Sequence, residues 1–242
     1  GYCCHRSQAS DRKPPTHPPM TPPRAIVFTD WDGTVTLQDS NDLLTDNLGM
    51  GHPQRMALND RILDGSLSFR DAFALMLGSV AANGHSLPHC IEYLLQNVKL
   101  DPGFSDTIEW CVANDIPLIV VSRGMDVILE TLLKKLLRPQ LHPFIQVYSN
   151  HVESPNSAGS WNIVYRDDSS FGHDKNQSIQ HAAALYYPDP ATRGTLFYCG
   201  DGVSDVSAAR SCDLLFAKQG HDLVDICKRD GINYLEFASF HA

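Results

Sequence analysis

AIVFTDWDGTVT (residues 25–36) passes from five residues that suit burial on both faces straight into two aspartates and a glycine. A run apolar on both faces suits a strand covered on both sides, as in a parallel sheet. Asp30 and Asp32 would then lie beyond its carboxyl end, where open α/β sheets bind their ligands.

The same texture recurs along the chain, in PLIVVS (117–122), FIQVYS (144–149), TLFYCG (195–200), DLLFA (213–217) and INYLEF (232–237). Helical patterns separate these runs, over 104–114, 125–137, 176–186, 204–210 and 221–229. Strand–helix alternation of this kind predicts a three-layer, doubly wound, Rossmann-like α/β fold. One interval breaks it. Residues 39–103 hold four helical segments, near 40–48, 53–63, 69–82 and 87–97, and no convincing strand, so they read as an inserted α-helical cap. The core is expected in 24–38 and 104–242. Residues 1–23, proline-rich and polar without apolar periodicity, read as a disordered tail. Within the irregular 150–174 interval, VES and WNIVYR can form a hairpin around SPNSAGS.

The formal net charge of −9 disfavours a nucleic-acid backbone, which needs a basic stripe to displace counterions. No apolar run approaches the roughly 20 residues of a membrane span. Seven cysteines form no C-x-x-C pair, and several lie in apolar runs, so they read as buried thiols of a reducing, cytoplasmic compartment. Eleven histidines fall in no zinc-binding pattern. Small anionic metabolites remain as partners, because local cations and a metal can reverse the sign of one pocket.

Polar residues gather at the predicted strand ends. Asp30 and Asp32 follow AIVFT; Ser122 closes PLIVVS before Arg123-Gly124; Asp201 and Asp205 follow TLFYCG in GDGVSD. Lys175, in HDKNQSI, opens a helix between two strands. Taken singly, Asp32-Gly33 and Asp201-Gly202 are turn signals, Ser122 is a cap for the helix starting near Met125, and Lys175 is a surface lysine. Taken together they deliver four carboxylates, a hydroxyl and an ammonium to one sheet edge.

Such a crowd of carboxylates repels itself unless a hard cation holds it, and Mg2+ prefers oxygen ligands. Asp30, the Asp32 carbonyl and Asp201 are candidate ligands, with Asp205 ligating or supporting. A substrate phosphate can then approach an aspartate nucleophile, Asp30. Ser122, Lys175 and nearby amides can stabilise the phosphoryl oxygens, while Asp32 serves as general acid and base.

The four segments DWDGTVT, VVSRG (120–124), Lys175 in HDKNQSI and GDGVSD resemble the haloacid-dehalogenase superfamily of aspartate-nucleophile phosphatases. Within it the chain looks like the phosphoserine-phosphatase branch. There it most resembles the methionine-salvage type that acts on 2-hydroxy-3-keto-5-methylthiopentenyl-1-phosphate. The resemblance implies Asp30 as nucleophile, Asp32 as acid–base, and Ser122, Gly124 and Lys175 as phosphate binders, with Arg123 set beside them as a further phosphate-binding candidate. It implies Mg2+ held by Asp30, Asp32, Asp201 and Asp205. Trp31 stands where phenylalanine is commoner, and Arg123 where glycine is usual, which adds a cation beside the phosphate. Where phosphoserine phosphatases carry a glutamate and an arginine for substrate, this chain has Asp39 and Met76, which argues for a different leaving group; the alternative for Met76 is ordinary core of its helix. The expected function is hydrolysis of a small phosphorylated metabolite through an aspartyl phosphate. A phosphotransferase or mutase, a phosphoserine phosphatase and an inactive binding protein stand as alternatives.

Overall fold

The computed structural model describes residues 14–153 and 161–241. The expected tail falls outside these for residues 1–13, and residues 14–23 carry no helix or strand. Seven strands are present: β1 (Ala25–Thr29), β2 (Leu118–Met125), β3 (Ile145–Glu153), β4 (Asn162–Val164), β5 (Thr195–Gly200), β6 (Leu214–Lys218) and β7 (Leu235–Phe237). They form one sheet in the order β4-β3-β2-β1-β5-β6-β7, parallel except for the β3–β4 pair.

The doubled apolar character of the strands has its cause in two cores. Val27 of β1 and Leu118 and Val120 of β2 pack on one side, with α5 (Phe104–Ala113) and α6 (Asp126–Leu136). Ile26, Phe28, Ile119 and Val121 point the other way, against α7 (Lys175–Tyr186) and α9 (Asp222–Asp230). A period of two on strands buried on both faces thus yields the three-layer fold. The chain winds outward from β1 through β2 to β3, then restarts at β5 on the opposite side of β1. The crevice of such a switch point lies at the carboxyl ends of β1 and β5.

Between β1 and α5 lie four helices and no strand: α1 (Ser40–Leu48), α2 (His52–Leu63), α3 (Phe69–Ala82) and α4 (Leu87–Asn97). Their starts are written in the sequence, because Asp39, Ser68 and Ser86 each accept a backbone N–H of the first turn. The chain leaves and re-enters the core side by side. Leu37 N–H donates to Lys99 O (2.8 Å), Asp101 N–H donates to Val35 O (2.7 Å), and Thr36 bridges Leu100.

Two boundaries differ from expectation for a local reason. β2 runs on through Met125 with a shift of register, so Ser122 neither ends the strand nor caps a helix. The cause is Asn150, whose side-chain amide donates to Arg123 O at 2.8 Å and takes the place of a ladder bond. β7 starts at Leu235 rather than 232, because Ile232 N–H is tied to Cys227 O (2.9 Å) beyond the left-handed Gly231 that ends α9. β3 and β4 do pair antiparallel, Val152 opposite Ile163, and the SPNSAGS connection lies outside the described residues.

Candidate active site

The loop after β1 is wound around one carbonyl. Trp31 O accepts the N–H groups of Thr34 (3.2 Å), Val35 (2.9 Å) and Thr36 (3.1 Å), so the backbone role survives the tryptophan. Asp30 N–H donates to Cys199 O (2.8 Å), tying the ends of β1 and β5 together. Gly33 turns the loop with φ +78°, and a Cβ there would lie 2.2 Å from Asp201 Oδ2. Any side chain at 33 would therefore displace the carboxylate as well as strain the backbone. Thr34 Oγ1 lies 3.3 Å from Asp30 Oδ2 and 3.1 Å from Asp201 Oδ1, within reach of either as donor.

Lys175 begins α7 behind its cap Asp174 and is 1% exposed. Its Nζ donates to Asp30 Oδ1 (2.9 Å), Asp205 Oδ1 (2.9 Å) and Ser204 Oγ (3.2 Å). Asp205, at the start of α8 (Asp205–Ala209), is fully buried and saturated with donors. It also accepts the Tyr198 hydroxyl, Asp201 N–H (3.0 Å) and Gly202 N–H (3.1 Å). Burial alone would raise its pKa, but the Lys175 charge and the Tyr198 hydroxyl hold it below the ordinary carboxylate value.

The neighbouring acids go the other way. Burial, then the Asp205 charge, pushes Asp30 well up despite Lys175. Burial likewise raises Asp201 to about 7. Asp30, Asp201 and Asp205 each present an oxygen within 4.8 Å of the others. One ammonium cannot neutralise three carboxylates, and all the donors are hard oxygens, which is the chemistry of a Mg2+ site. His221 Nδ1 sits 3.2 Å from Asp201 Oδ2, and burial lowers its pKa, so it is a neutral neighbour rather than a second cation.

The Asp32 side chain is turned away from that trio. Oδ1 accepts Ser40 N–H (2.8 Å) and Ser40 Oγ–H (2.5 Å), and Oδ2 accepts Asn41 Nδ2 (3.2 Å). Burial first and the Asp39 charge second push its pKa well up, which favours a protonated acid. Gly124 lies against it: an added Cβ would meet Ser122 Oγ at 3.2 Å and Asp32 Oδ2 at 3.4 Å. Ser122 Oγ accepts Gly124 N–H at 2.9 Å. Beneath them His173, fully buried, spans Ser122 O and Ser178 Oγ and joins the end of β2 to the start of α7.

Beside this cluster opens a cleft of about 770 Å³ between the helical segment and the core, walled by Met56, Phe69, Arg123, Phe171 and Ser204 among others. Arg123 reaches neither outward to solvent nor to a carboxylate. Its Nε donates to His173 O (3.2 Å), and its guanidinium stands 4.8 Å from both the Phe69 and the Phe171 ring centroids. The cleft meets the cluster at Arg123 and Ser204; Asp30, Asp32, Lys175 and Asp201 lie beyond its lining, as do Asp39 and Met76. Asp39 caps α1, accepting Asp42 N–H at 2.9 Å, and Met76 is buried within α3. Thr34, Ser40, Asn41, His173 and Tyr198 join the site without having been singled out in the sequence. Thr34 sits inside DWDGTVT and His173 inside HDK, so adjacency to the motifs was the one signal available.

The sequence model of the haloacid dehalogenase-like hydrolases matches residues 27–210. Polyol phosphate phosphatase PYP1 of Saccharomyces cerevisiae is 46% identical over 220 residues, covering 90% of this chain and 90% of that protein. The 2-hydroxy-3-keto-5-methylthiopentenyl-1-phosphate phosphatase of Bacillus cereus is 27% identical over 215 residues, 89% of this chain and 92% of its own length. A substrate-bound phosphoserine phosphatase shares the fold with a TM-score of 0.64 at 14% identity, over 91% of this chain and 96% of that one.

Proposed function

Because the chain belongs to the haloacid dehalogenase-like hydrolase family and is a phosphoric monoester hydrolase, we propose that it cleaves small polyol phosphates through an acyl phosphate on Asp30. One observation carries this reading. Asp30 meets a buried ammonium on one side and two further carboxylates on the other, at the sheet's switch point, with Ser122, Gly124 and Asp32 on the adjoining wall.

An oxygen of Asp30 attacks phosphorus, and the ester oxygen leaves in line. Asp32, protonated, gives its proton to the departing alkoxide. Lys175, the Ser122 hydroxyl and loop amides hold the phosphoryl oxygens as their charge redistributes. In the second half Asp32, now a carboxylate, takes a proton from water. That water attacks phosphorus, the bond to Asp30 breaks, and inorganic phosphate leaves with both side chains restored. Mg2+, held by Asp30, Asp201 and the Asp32 carbonyl with Asp205 in support, would neutralise the carboxylates and polarise the phosphate. Gly124 completes the wall beside Ser122 and Asp32, with Arg123 next to it in the chain. Residues 39–103 serve as a cap that shields the reaction from bulk water.

The substrate class rests on the 46% relative and on the cleft. Asp39 is committed to capping α1 and Met76 is buried and apolar, whereas Asn59, Ser68, Ser170 and Ser207 of the cleft offer groups that match hydroxyls. The five cysteines of the described residues are unpaired thiols, which supports a reducing, cytoplasmic setting. The test is steady-state hydrolysis of glycerol 3-phosphate and phosphoserine with Mg2+. Asp30→Asn is expected to lower turnover by at least about a thousandfold at an unchanged melting profile. Hydroxylamine quenching of the wild-type protein is expected to trap an adduct at Asp30. Wild-type rates in the Asn variant, or no adduct during turnover, would overturn the proposal.

A further inference from the structure

Arg123 is gripped rather than ion-paired. Phe69, from the start of α3, covers one part of the guanidinium at 4.8 Å, and Phe171, from the loop before α7, covers another at 4.8 Å. Nε is committed to His173 O at 3.2 Å, and among the described residues no side chain or carbonyl accepts from the two Nη groups. Arg123 belongs to the lining of the cleft. Its place relative to the phosphoryl group is fixed twice over. Arg123 lies between Ser122 and Gly124 in the chain, and its Nε partner lies two residues before Lys175. A planar guanidinium locked by two rings loses little further freedom when it meets an acceptor in its own plane.

We infer that the free edge of Arg123 reads a hydroxyl oxygen on the body of the substrate, close to the phosphoester, and that this contact selects polyol phosphates. The inference rests on the function proposed above and names the residue that sets its specificity. The charges around the cleft decide for a hydroxyl over a second anion. Arg123 and Arg210 face it with Asp60 and Asp222, two of each sign. A substrate carboxylate would gain the arginines and be repelled by the aspartates. A polyol accepts from the guanidinium and donates to the carboxylates and serines, so it satisfies both. Phe69 and Phe171 also make the reading sensitive to the cap, since one ring comes from each side. Arg70 strengthens that junction: its Nη1 donates to Asp167 O (2.7 Å), its N–H to Ser170 O (2.9 Å), and it lies 4.2 Å over the Tyr165 ring.

The test compares glycerol 3-phosphate with p-nitrophenyl phosphate, which carries the same phosphoryl group and no hydroxyl, in the full chain with Mg2+. For Arg123→Met the ratio of kcat/KM between the polyol ester and the aryl ester should fall about 10- to 100-fold, mainly through KM of the polyol ester. Arg123→Lys should lower the ratio too, because an ammonium lacks the planar edge. Phe171→Leu, which loosens the grip and keeps the cation, should shift it the same way by a smaller factor. An unshifted ratio in all three variants overturns the inference. So does a Ki for inorganic phosphate that rises in step with the polyol KM, since the guanidinium would then be holding the phosphoryl group itself. A wild-type protein that cleaves the aryl ester but no polyol ester overturns it while leaving Asp30 chemistry standing. Failure to cleave either ester overturns both readings.

Discussion

His173 shows what a single residue contributes without touching substrate. It has no exposed surface, and burial pushes its pKa down to about 4, so the imidazole is neutral at working pH. With Nδ1–H donated to Ser122 O, its Nε2 is free to accept the Ser178 hydroxyl. The folded protein therefore resists a proton that the unfolded chain takes up near its ordinary value of 6.5. Stability contributed by this group is complete above about pH 6.5 and is lost as pH falls towards 4, by about 3 kcal/mol at the lower end. His173→Gln, which can still accept from Ser178, should flatten that part of the curve. Chemical denaturation of both proteins between pH 4 and 7.5 checks it; parallel curves would show that His173 does not titrate on unfolding. Gly124 makes the complementary point by lacking a side chain. Alanine there would press on Ser122 Oγ and Asp32 Oδ2, at 3.2 and 3.4 Å. It is expected to lower kcat/KM by about tenfold or more with little loss of stability.

At the scale of elements, a buried ion pair braces the return of the chain from the helical segment to the core. Lys218, at the end of β6, donates to Asp101 Oδ2 and to Thr34 O, each at 3.2 Å. Asp101, at the return of the chain from α4, also accepts Gly103 N–H (2.9 Å) and Phe240 N–H (3.2 Å). Four segments far apart in sequence thus converge behind the loop that carries Asp30. Both side chains are nearly inaccessible, at 5% and 2% exposure, so removing one leaves the other desolvated without its partner. Lys218→Met should destabilise the protein by about 3–5 kcal/mol, and adding Asp101→Leu should recover part of that loss. Urea unfolding of the two single variants and the double variant measures the coupling. Strictly additive losses would show that the pair does not act as a unit.

The whole molecule carries a formal charge of −9, and three of its carboxylates, Asp30, Asp201 and Asp205, are gathered where they repel one another. Relief of that repulsion is a thermodynamic quantity as well as a catalytic one. Mg2+ bound to the folded protein alone should add about 2.7 kcal/mol of stability at a free concentration one hundred times its Kd. For a chain of this size that corresponds to a melting temperature several degrees higher, about 2–4 °C for each kcal/mol. Asp201→Asn removes one proposed ligand and should abolish most of the shift. A melting temperature indifferent to Mg2+ would refute the metal assignment whatever the activity does. No helix among the described residues is long and apolar enough to cross a membrane.

The sequence by itself determined the strands, the helices and the segments that carry the candidate site residues, because each has a local cause. Burial on both faces made β1, β2 and β5 legible, helical patterning without a strand marked α1 to α4, and Asp30, Asp32, Lys175 and Asp201 stand beside strand or helix ends that their own neighbours define. Only the tertiary structure decided the roles of His173, Thr34, Lys218 and the Phe69–Arg123–Phe171 sandwich, and the run of β2 past Ser122. Those depend on contacts such as Lys218 with Asp101, 117 residues apart, or Arg123 with His173, 50 apart. A side chain's partner across such a gap is chosen by how the layers pack, and packing leaves no periodic trace in the residues between.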